Sequence, residues 1–429
     1  MTRIVPKLLP ISLILLAGIL LGTPHHSRAM NRYSSNPVIR VCLIEQDQYP
    51  RFYIDGTATA QSGGQTHTLQ ANTLYTCSVG PQGAVLLASG GKLVASFKKR
   101  FRCFMATANH RFGFKGGQYS DTLEFVFDGK GITVINRLPV RDYLYNVVHN
   151  ELGRDANRWS FEALKAQAII SRTYALWQME MPVIRLFDVH DDIRDQVFTG
   201  VPSDDQLSIK AVDETRGDVL EYKGRFAECY FHSTCGGKTE AVENVWNTNG
   251  AKPYLKLVSD DGKHGVYCKH SPSYRWTVSY TRTDFESILK QYLPVVIPDE
   301  TKRLALPANW KLLDIKIKKR APSGRVLELA LYLGTPGKFE TLELRSDKIR
   351  WVIRQPNKED ILRSTLFDLD ISRDSKKWIS KVTFSGGGSG HGVGMCQWGA
   401  IERARQGHAH ESILKAYFPG TAIKTLYNN

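Results

Sequence analysis

Past residue 22 the 429-residue sequence contains no apolar run long enough to span a bilayer, no low-complexity tract and no repeat at a fixed period. Those absences exclude a protein crossing a membrane on several helices, a disordered chain and a solenoid. Charged residues make up 23% of the chain but are scattered, so a tail of one sign is missing as well. Cysteine is scarce. Seven in a chain of this length cannot be a small disulfide scaffold, and an odd count leaves at least one unpaired or bound to metal. None precedes Cys42, which excludes the lipid-bearing cysteine of an exported lipoprotein.

The first 29 residues are built differently from the rest. Arg3 and Lys7 precede the apolar run LLPISLILLAGILLG (Leu8 to Gly22), and small residues Ser27 and Ala29 stand just before Met30. This reads as a secretory signal; cleavage fits better than retention as an anchor, and membrane contact arises only if the segment stays. Either way the remainder is exported, to the periplasm or cell envelope. The formal charge is +15, and Arg3, Lys7 and Arg28 belong to the signal, leaving about +12 on the mature chain. Acidic envelope polymers are better partners for such a chain than nucleic acid, although solubility alone would also account for the charge.

The apolar content, 42%, supports two or three cores. From Val38 to Asn136 short β-type runs recur about every ten residues between Gly/Ser/Asn turns, with DGKG at 128–131 as a hairpin turn; this predicts a β-rich N-terminal module over residues 30–136. PVRDYLYNVVHNEL then reads as a short helix, and FEALKAQAIISRTYALWQM as a long one with Ser160 as its N-cap. A core over 137–275 and a supporting α+β segment over 276–380 follow. Residues 381–429 return to the core with the glycine-rich loop SGGGSGHGVGMCQWGA and two helical runs. The fold class is α+β.

Glu151 sits in a Gly/Asp/Asn-bearing turn ahead of the long helix. Lys165 and Arg172, seven residues apart, share one helical face, while Leu164, Ala168 and Ala175 form an apolar stripe. The helix is otherwise so apolar that Gln167, Arg172 and Tyr174 need partners. Several familiar motifs fail here. HNE (149–151) matches half of the zinc-deaminase pattern but P-C-x-x-C is absent; a phosphate loop at GGKT would need glycine where His232 stands; and the glycines around His391 do not satisfy G-x-G-x-x-G. Cys229, His232 and Cys235 have metal-like spacing, with Cys268 downstream, so a structural zinc, a disulfide such as Cys235–Cys268, and simple burial all stay open. His391 and Gln397 are polar groups at the edge of a loop that can approach a ligand or another strand closely.

Taken together, these blocks resemble the SpoIID (stage II sporulation protein D) family, also called the LytB or amidase-enhancer family. INRLPVRDYLYNVVHNELGRDANRWSFEALKAQAIISRTYAL is similar to its central block, and FDVHDDIRDQVFTG, YFHSTCGGKTEAVENVW, PYLKLVSD with SPSYRW, SGR at 323–325, and SGHGVGMCQWGA with ESILKAYFPGT follow in the family's order. The resemblance implies a lytic transglycosylase that cleaves the bond from N-acetylmuramic acid to N-acetylglucosamine in peptidoglycan strands, preferably stripped of stem peptides. It needs no cofactor, and a cell-wall amidase is a second partner. Glu151 aligns with the catalytic glutamate. Where many relatives have cysteines, this chain has HDDIRD (190–195), so a metal site carried over from them is in doubt.

Ordinary glycosidases need two carboxylates. Here one suffices, because the muramic acid C6 hydroxyl is an intramolecular nucleophile and a single residue can act as acid, then base, leaving a 1,6-anhydro end. Glu151 must then be protonated at working pH, which predicts burial under the following helix; Lys165 and Arg172 belong farther off, on the lactyl carboxylate or sugar oxygens. Gln167, His232 and Ser233 are expected to position the sugar, with Tyr174, His391 and Gln397 as further substrate contacts. A non-enzymatic wall-binding enhancer of an amidase is the competing reading.

Overall fold

Alternation in several strands of the N-terminal third buries every second side chain, as in Arg51–Ile54, where Phe52 and Ile54 face inward and Arg51 and Tyr53 outward. The computed structural model describes residues 36–427 apart from 154–156, 158–159, 182–184, 202–204, 247–250, 305, 307–308, 336 and 357–359; the expected export signal lies outside them. Among the described residues no helix is long and apolar enough to cross a membrane. The fold is mixed α+β with a β-rich N-terminal region, as the sequence predicts. The chain divides into two units. One contains the described residues up to Cys229 with Ala404–Ile413 and the segment from Thr421; the other contains Tyr230–Arg403 with Leu414–Gly420.

In the first unit a seven-stranded sheet runs Val189–His190, Val38–Asp47, Ile132–Pro139, Thr122–Phe127, Arg100–Met105, Ala58–Ser62, Gln65–Leu69. A six-stranded sheet runs Gly117–Tyr119, Phe112–Phe114, Arg51–Ile54, Thr73–Val79, Ala84–Ser89, Lys92–Lys98. Phenylalanines join them: Phe52 meets Phe125 and Phe97 meets Phe101 at 4.8 and 4.6 Å between ring centroids. Each such ring contributes about 1.5–3 kcal/mol by leaving water. DGKG closes a hairpin, with Asp128 Oδ1 accepting from the N–H groups of Lys130 and Gly131 at 2.9 and 3.2 Å.

The strand Ile132–Pro139 feeds helix α1 (Val140–Val148), and α2 (Phe161–Met179) and α3 (Gln206–Glu214) follow. The long helix packs against α1, α3 and the strand Asp218–Tyr222. Its apolar residues are not confined to the expected stripe: Ala163, Ala166, Ile169, Ile170 and Leu176 are also inside, so α2 is enclosed on nearly all sides along its middle. Ser160 occupies the N-cap position but does not cap. Its Oγ turns back, accepting from Asn157 N (2.8 Å) and donating to Asn157 O (3.0 Å), because a local side-chain-to-backbone loop competes with the helix end.

The second unit is organised around two three-stranded antiparallel sheets, Trp276–Thr281 with Ile379–Gly386 and Phe367–Arg373, and Lys311–Arg320 with Val326–Thr335 and Lys338–Arg345. The helix Arg282–Val296, capped by the Thr281 hydroxyl on Asp284 N at 3.2 Å, adds Phe285, Leu289 and Leu293 to a core shared with Leu329, Leu331 and Phe384. A short parallel pair, Phe231–His232 with Met395–Cys396, ties the start of the unit to the end of the glycine loop.

Candidate functional site

Glu151 lies in a π-helical turn, His149–Gly153, that continues α1. The turn is held from both sides. On one, His149 Nδ1 meets Asp205 Oδ2 at 3.1 Å, and Asp205 caps α3 through Leu207 N and binds Ser208 Oγ at 2.5 Å. Gly153 leaves room at this point: a Cβ there would stand 2.6 Å from both Asp205 Oδ2 and Ser208 Oγ, so those side chains would have to shift. On the other side the segment 195–201 straps the turn. Val197 N–H donates to Glu151 Oε1 at 2.8 Å, Thr199 N–H donates to Asn146 Oδ1 at 2.8 Å, and Asn150 donates to Asn146 Oδ1 (2.7 Å) and Thr199 Oγ1 (3.0 Å). Glu151 itself is half-buried. Burial, and then the carboxylates of Asp195, Glu151 and Asp191, push the Tyr143 phenol well above its ordinary value, so it stays an O–H donor, to Gln196 Oε1 at 3.0 Å.

The α2 residues predicted to contact substrate all bond to other groups of this chain. Lys165 pairs with Glu214 at 2.8 Å and Glu162 at 3.2 Å. Arg172 is buried and donates to two carbonyls, Asp218 O at 2.9 Å and Val212 O at 3.1 Å. Gln167, fully buried, donates to Ser171 Oγ at 3.0 Å, and Tyr174 donates to Asp195 Oδ1 at 2.5 Å. Asp195 also binds His190, ring to carboxylate at 2.7 Å and main-chain N at 2.8 Å. Burial opposes a charge on His190, yet its bonds to Asp195 and Glu45 outweigh that and push its pKa up to about 9. The segment HDDIRD is thus an ion-pair clip: a charged histidine between two carboxylates.

In the second unit His232 and His391 form an edge-on pair at 5.6 Å, with Trp246 4.8 Å and Tyr230 6.3 Å from His391. Their tautomers follow from the backbone. His391 Nδ1 accepts from Val393 N–H at 3.0 Å, so a neutral ring carries its proton on Nε2; His232 Nδ1 lies 3.1 Å from Val393 O, so its proton is on Nδ1. Desolvation, with His391 and Arg325 nearby, drives His232 well below its usual value; desolvation, with Arg350 and Arg325, pushes His391 down to about 4 against the pull of Asp347. Both imidazoles are neutral at pH 7. Ser233 accepts Trp398 N–H on its carbonyl at 3.1 Å, and Gln397, buried, opens the helix Gln397–Arg405. A groove of about 640 Å³ elsewhere in this unit, lined by Arg275, Trp276, Arg320 and Asp368 among others, includes none of the predicted site residues.

Of the four candidate metal ligands, Cys235 and Cys268 come together, with sulfurs 3.5 Å apart. Cys229 is buried in the first unit and His232 is committed to Val393. The partners that sequence reasoning missed are Asp205, Val197 and Thr199 around Glu151, and Asp260 and Cys396 beside the two cysteines. Asp205 had a legible signal, as an aspartate two and three residues ahead of the amides it caps. Val197 had none, since it acts through its main chain.

A family model described as Stage II sporulation protein (SpoIID) matches residues 128–222, and a second, described as Domain of unknown function (DUF8618), matches 262–394. The first covers the elements that position Glu151. The chain is 30% identical over 313 residues to an uncharacterised protein of Brachyspira hyodysenteriae, taking in 73% of this chain and 74% of that one. It is 28% identical over 305 residues to the amidase enhancer of Bacillus subtilis, covering 65% of this chain and 40% of the enhancer. Over 308 residues it is 27% identical to stage II sporulation protein D of the same species, covering 67% and 75%.

Proposed function

Since the chain belongs to the SpoIID family, with a cell-wall-related function, we propose that it is a lytic transglycosylase of peptidoglycan in which Glu151 acts as acid and then base. The carrying observation is the bond from Val197 N–H to Glu151 Oε1. An amide donor makes Oε1 an acceptor in both protonation states, so the transferable proton belongs on Oε2. The carboxyl enters each cycle oriented.

In the first step Glu151 gives that proton to the glycosidic oxygen as the bond from muramic acid C1 breaks, releasing the N-acetylglucosamine hydroxyl. In the second, the C6 hydroxyl of the same muramic acid closes on C1 and its proton returns to Glu151. The product carries a 1,6-anhydro ring and the enzyme is regenerated without water. Intramolecular attack replaces the second carboxylate that hydrolysis would need. On this reading Lys165, Gln167, Arg172 and Tyr174 keep the helix behind Glu151 rigid, as their internal bonds favour. Export by residues 1–29 delivers the enzyme to its glycan.

The test is to incubate the mature protein with peptide-free glycan and weigh the products. Anhydro ends, one water lighter than hydrolysed ones, are expected from the wild type, with yield falling about 10²-fold or more in Glu151→Gln. An unchanged yield in the variant would overturn the assignment. The similarity to an amidase enhancer favours a second reading, in which the chain binds the wall and stimulates an amidase without cutting. That reading predicts glycan binding and amidase stimulation with no anhydro product from the wild type.

A further inference from the structure

We infer that Cys235, Cys268, Cys396 and Asp260 form a closed four-ligand site for a zinc ion. All four residues are buried, and their ligand atoms lie within 4.8 Å of one another. Tetrahedral zinc with bonds of about 2.3 Å to sulfur and 2.0 Å to oxygen spaces its sulfurs about 3.8 Å apart, and each oxygen slightly less from a sulfur. Cys235 Sγ is 3.5 Å from Cys268 Sγ and 3.4 Å from Asp260 Oδ2. The spacings fit one ion.

The surroundings are those of thiolates. Gly237 N–H points at Cys235 Sγ (3.3 Å), and Cys235 N–H points at Cys396 Sγ (3.2 Å). Gly236 and Gly237 have φ of +78° and +125°, which turns the chain back so that an amide faces the sulfur; this gives the GGKT stretch, rejected as a phosphate loop, a physical role. Asp260 is oriented like a metal-binding carboxylate. Its Oδ1 takes the Tyr417 hydroxyl at 2.6 Å and lies 3.6 Å from Arg403, while Oδ2 is turned toward the sulfurs. Three thiolates, a carboxylate and a dication leave two negative charges, and two guanidiniums stand against them. Arg403 is one; the other is Arg325, fully buried, which donates to Cys235 O at 2.9 Å and whose Nε and Nη1 have no hydrogen-bond partner among the described residues.

Four protein ligands leave no open position, so the ion is structural. It joins three distant stretches, the turn at 235–237, the hairpin region 260–268 and the strand after the glycine loop. A Cys235–Cys268 disulfide is the rival use of the same atoms. It would engage two sulfurs and leave Cys396 and Asp260 without a reason to converge on them.

The full mature chain, purified without chelator, should carry about one zinc by elemental analysis. That content should fall to near none in Cys396→Ser and persist in Cys77→Ser, which removes a buried thiol of the other unit. A second measurement needs no variant. After cobalt exchange the wild type should show the intense absorption of tetrahedral cobalt–thiolate, and alkylation in denaturant with chelator should label all seven cysteines. A metal-free protein with two cysteines refractory to alkylation would overturn the proposal in favour of the disulfide. An octahedral cobalt spectrum, or zinc content unaffected by Cys396→Ser, would overturn it in favour of adventitious metal. None of these results depends on whether Glu151 cleaves glycan.

Discussion

The Glu151 turn and the Cys235 turn both hold polar groups away from water, and they do it in opposite ways. Around Glu151 the partners are largely neutral and matched: Asn146 with Thr199, Asn150 with Asn146, Tyr143 with Gln196, an amide with the glutamate. Around Cys235 they are thiols, a carboxylate and guanidiniums, and buried nitrogens of Arg325 lack hydrogen bonds among the described residues. A matched neutral network holds its shape alone and leaves one carboxylate to present. Three cysteines and a carboxylate, once ionised, hold together only when positive charge completes the set.

The comparison can be broken most forcefully at Arg172, a buried cation in the scaffold behind Glu151. Arg172→Met removes the charged donor from Asp218 O and from Val212 O, leaving the latter the longer bond from the Thr215 hydroxyl at 3.4 Å. Stability to urea should fall by about 3–6 kcal/mol, at about 1.5–3 kcal/mol for each lost hydrogen bond from a charged donor; an unmoved transition would show that this cation is as expendable as a surface one. Next comes Gly153→Ala, whose Cβ must displace Asp205 or Ser208. A loss of about 1–3 kcal/mol in the same assay is expected, and under the proposed function glycan cleavage should fall more than glycan binding because the turn carrying Glu151 shifts.

The smallest effect is a pH dependence in the clip that anchors the strap. The His190 pKa is raised from 6.5 to about 9 in the folded chain. Its ion pairs with Asp195 and Glu45 therefore contribute in full below about pH 6.5 and are lost as pH rises through 9. Partial exposure limits the change to about 1 kcal/mol. Unfolding midpoints measured across that window should decline in the wild type and stay nearly level in His190→Asn; parallel declines would mean that another group titrates.

Periodicity and turn chemistry carried most of the architecture. The DGKG hairpin, α1, α2 and the strands at Lys311–Arg320, Val326–Thr335 and Lys338–Arg345 are all local signals, readable because alternation and helical spacing act over a few residues. Ser160 misled because a serine before a helix can bond forward or back, and nothing local decides. The polar residues of α2 were seen to need partners, and the structure supplies them from this chain: carbonyls of α3 and the strand beside it for Arg172, Ser171 of α2 itself for Gln167, and Asp195 for Tyr174. The thiol cluster was half legible. Cys235 and Cys268 could be suspected from type and spacing, whereas Asp260, close to Cys268 in sequence, carries no metal signal of its own and Cys396 joins them only through tertiary folding across more than a hundred residues.

The strap over the glutamate has an evolutionary corollary. Because position 197 touches Glu151 through its main chain, the side chain there can drift freely among residues that keep a peptide hydrogen, and only proline silences it. Site-by-site comparison of relatives would rank that position as unremarkable, although it holds the Glu151 carboxyl.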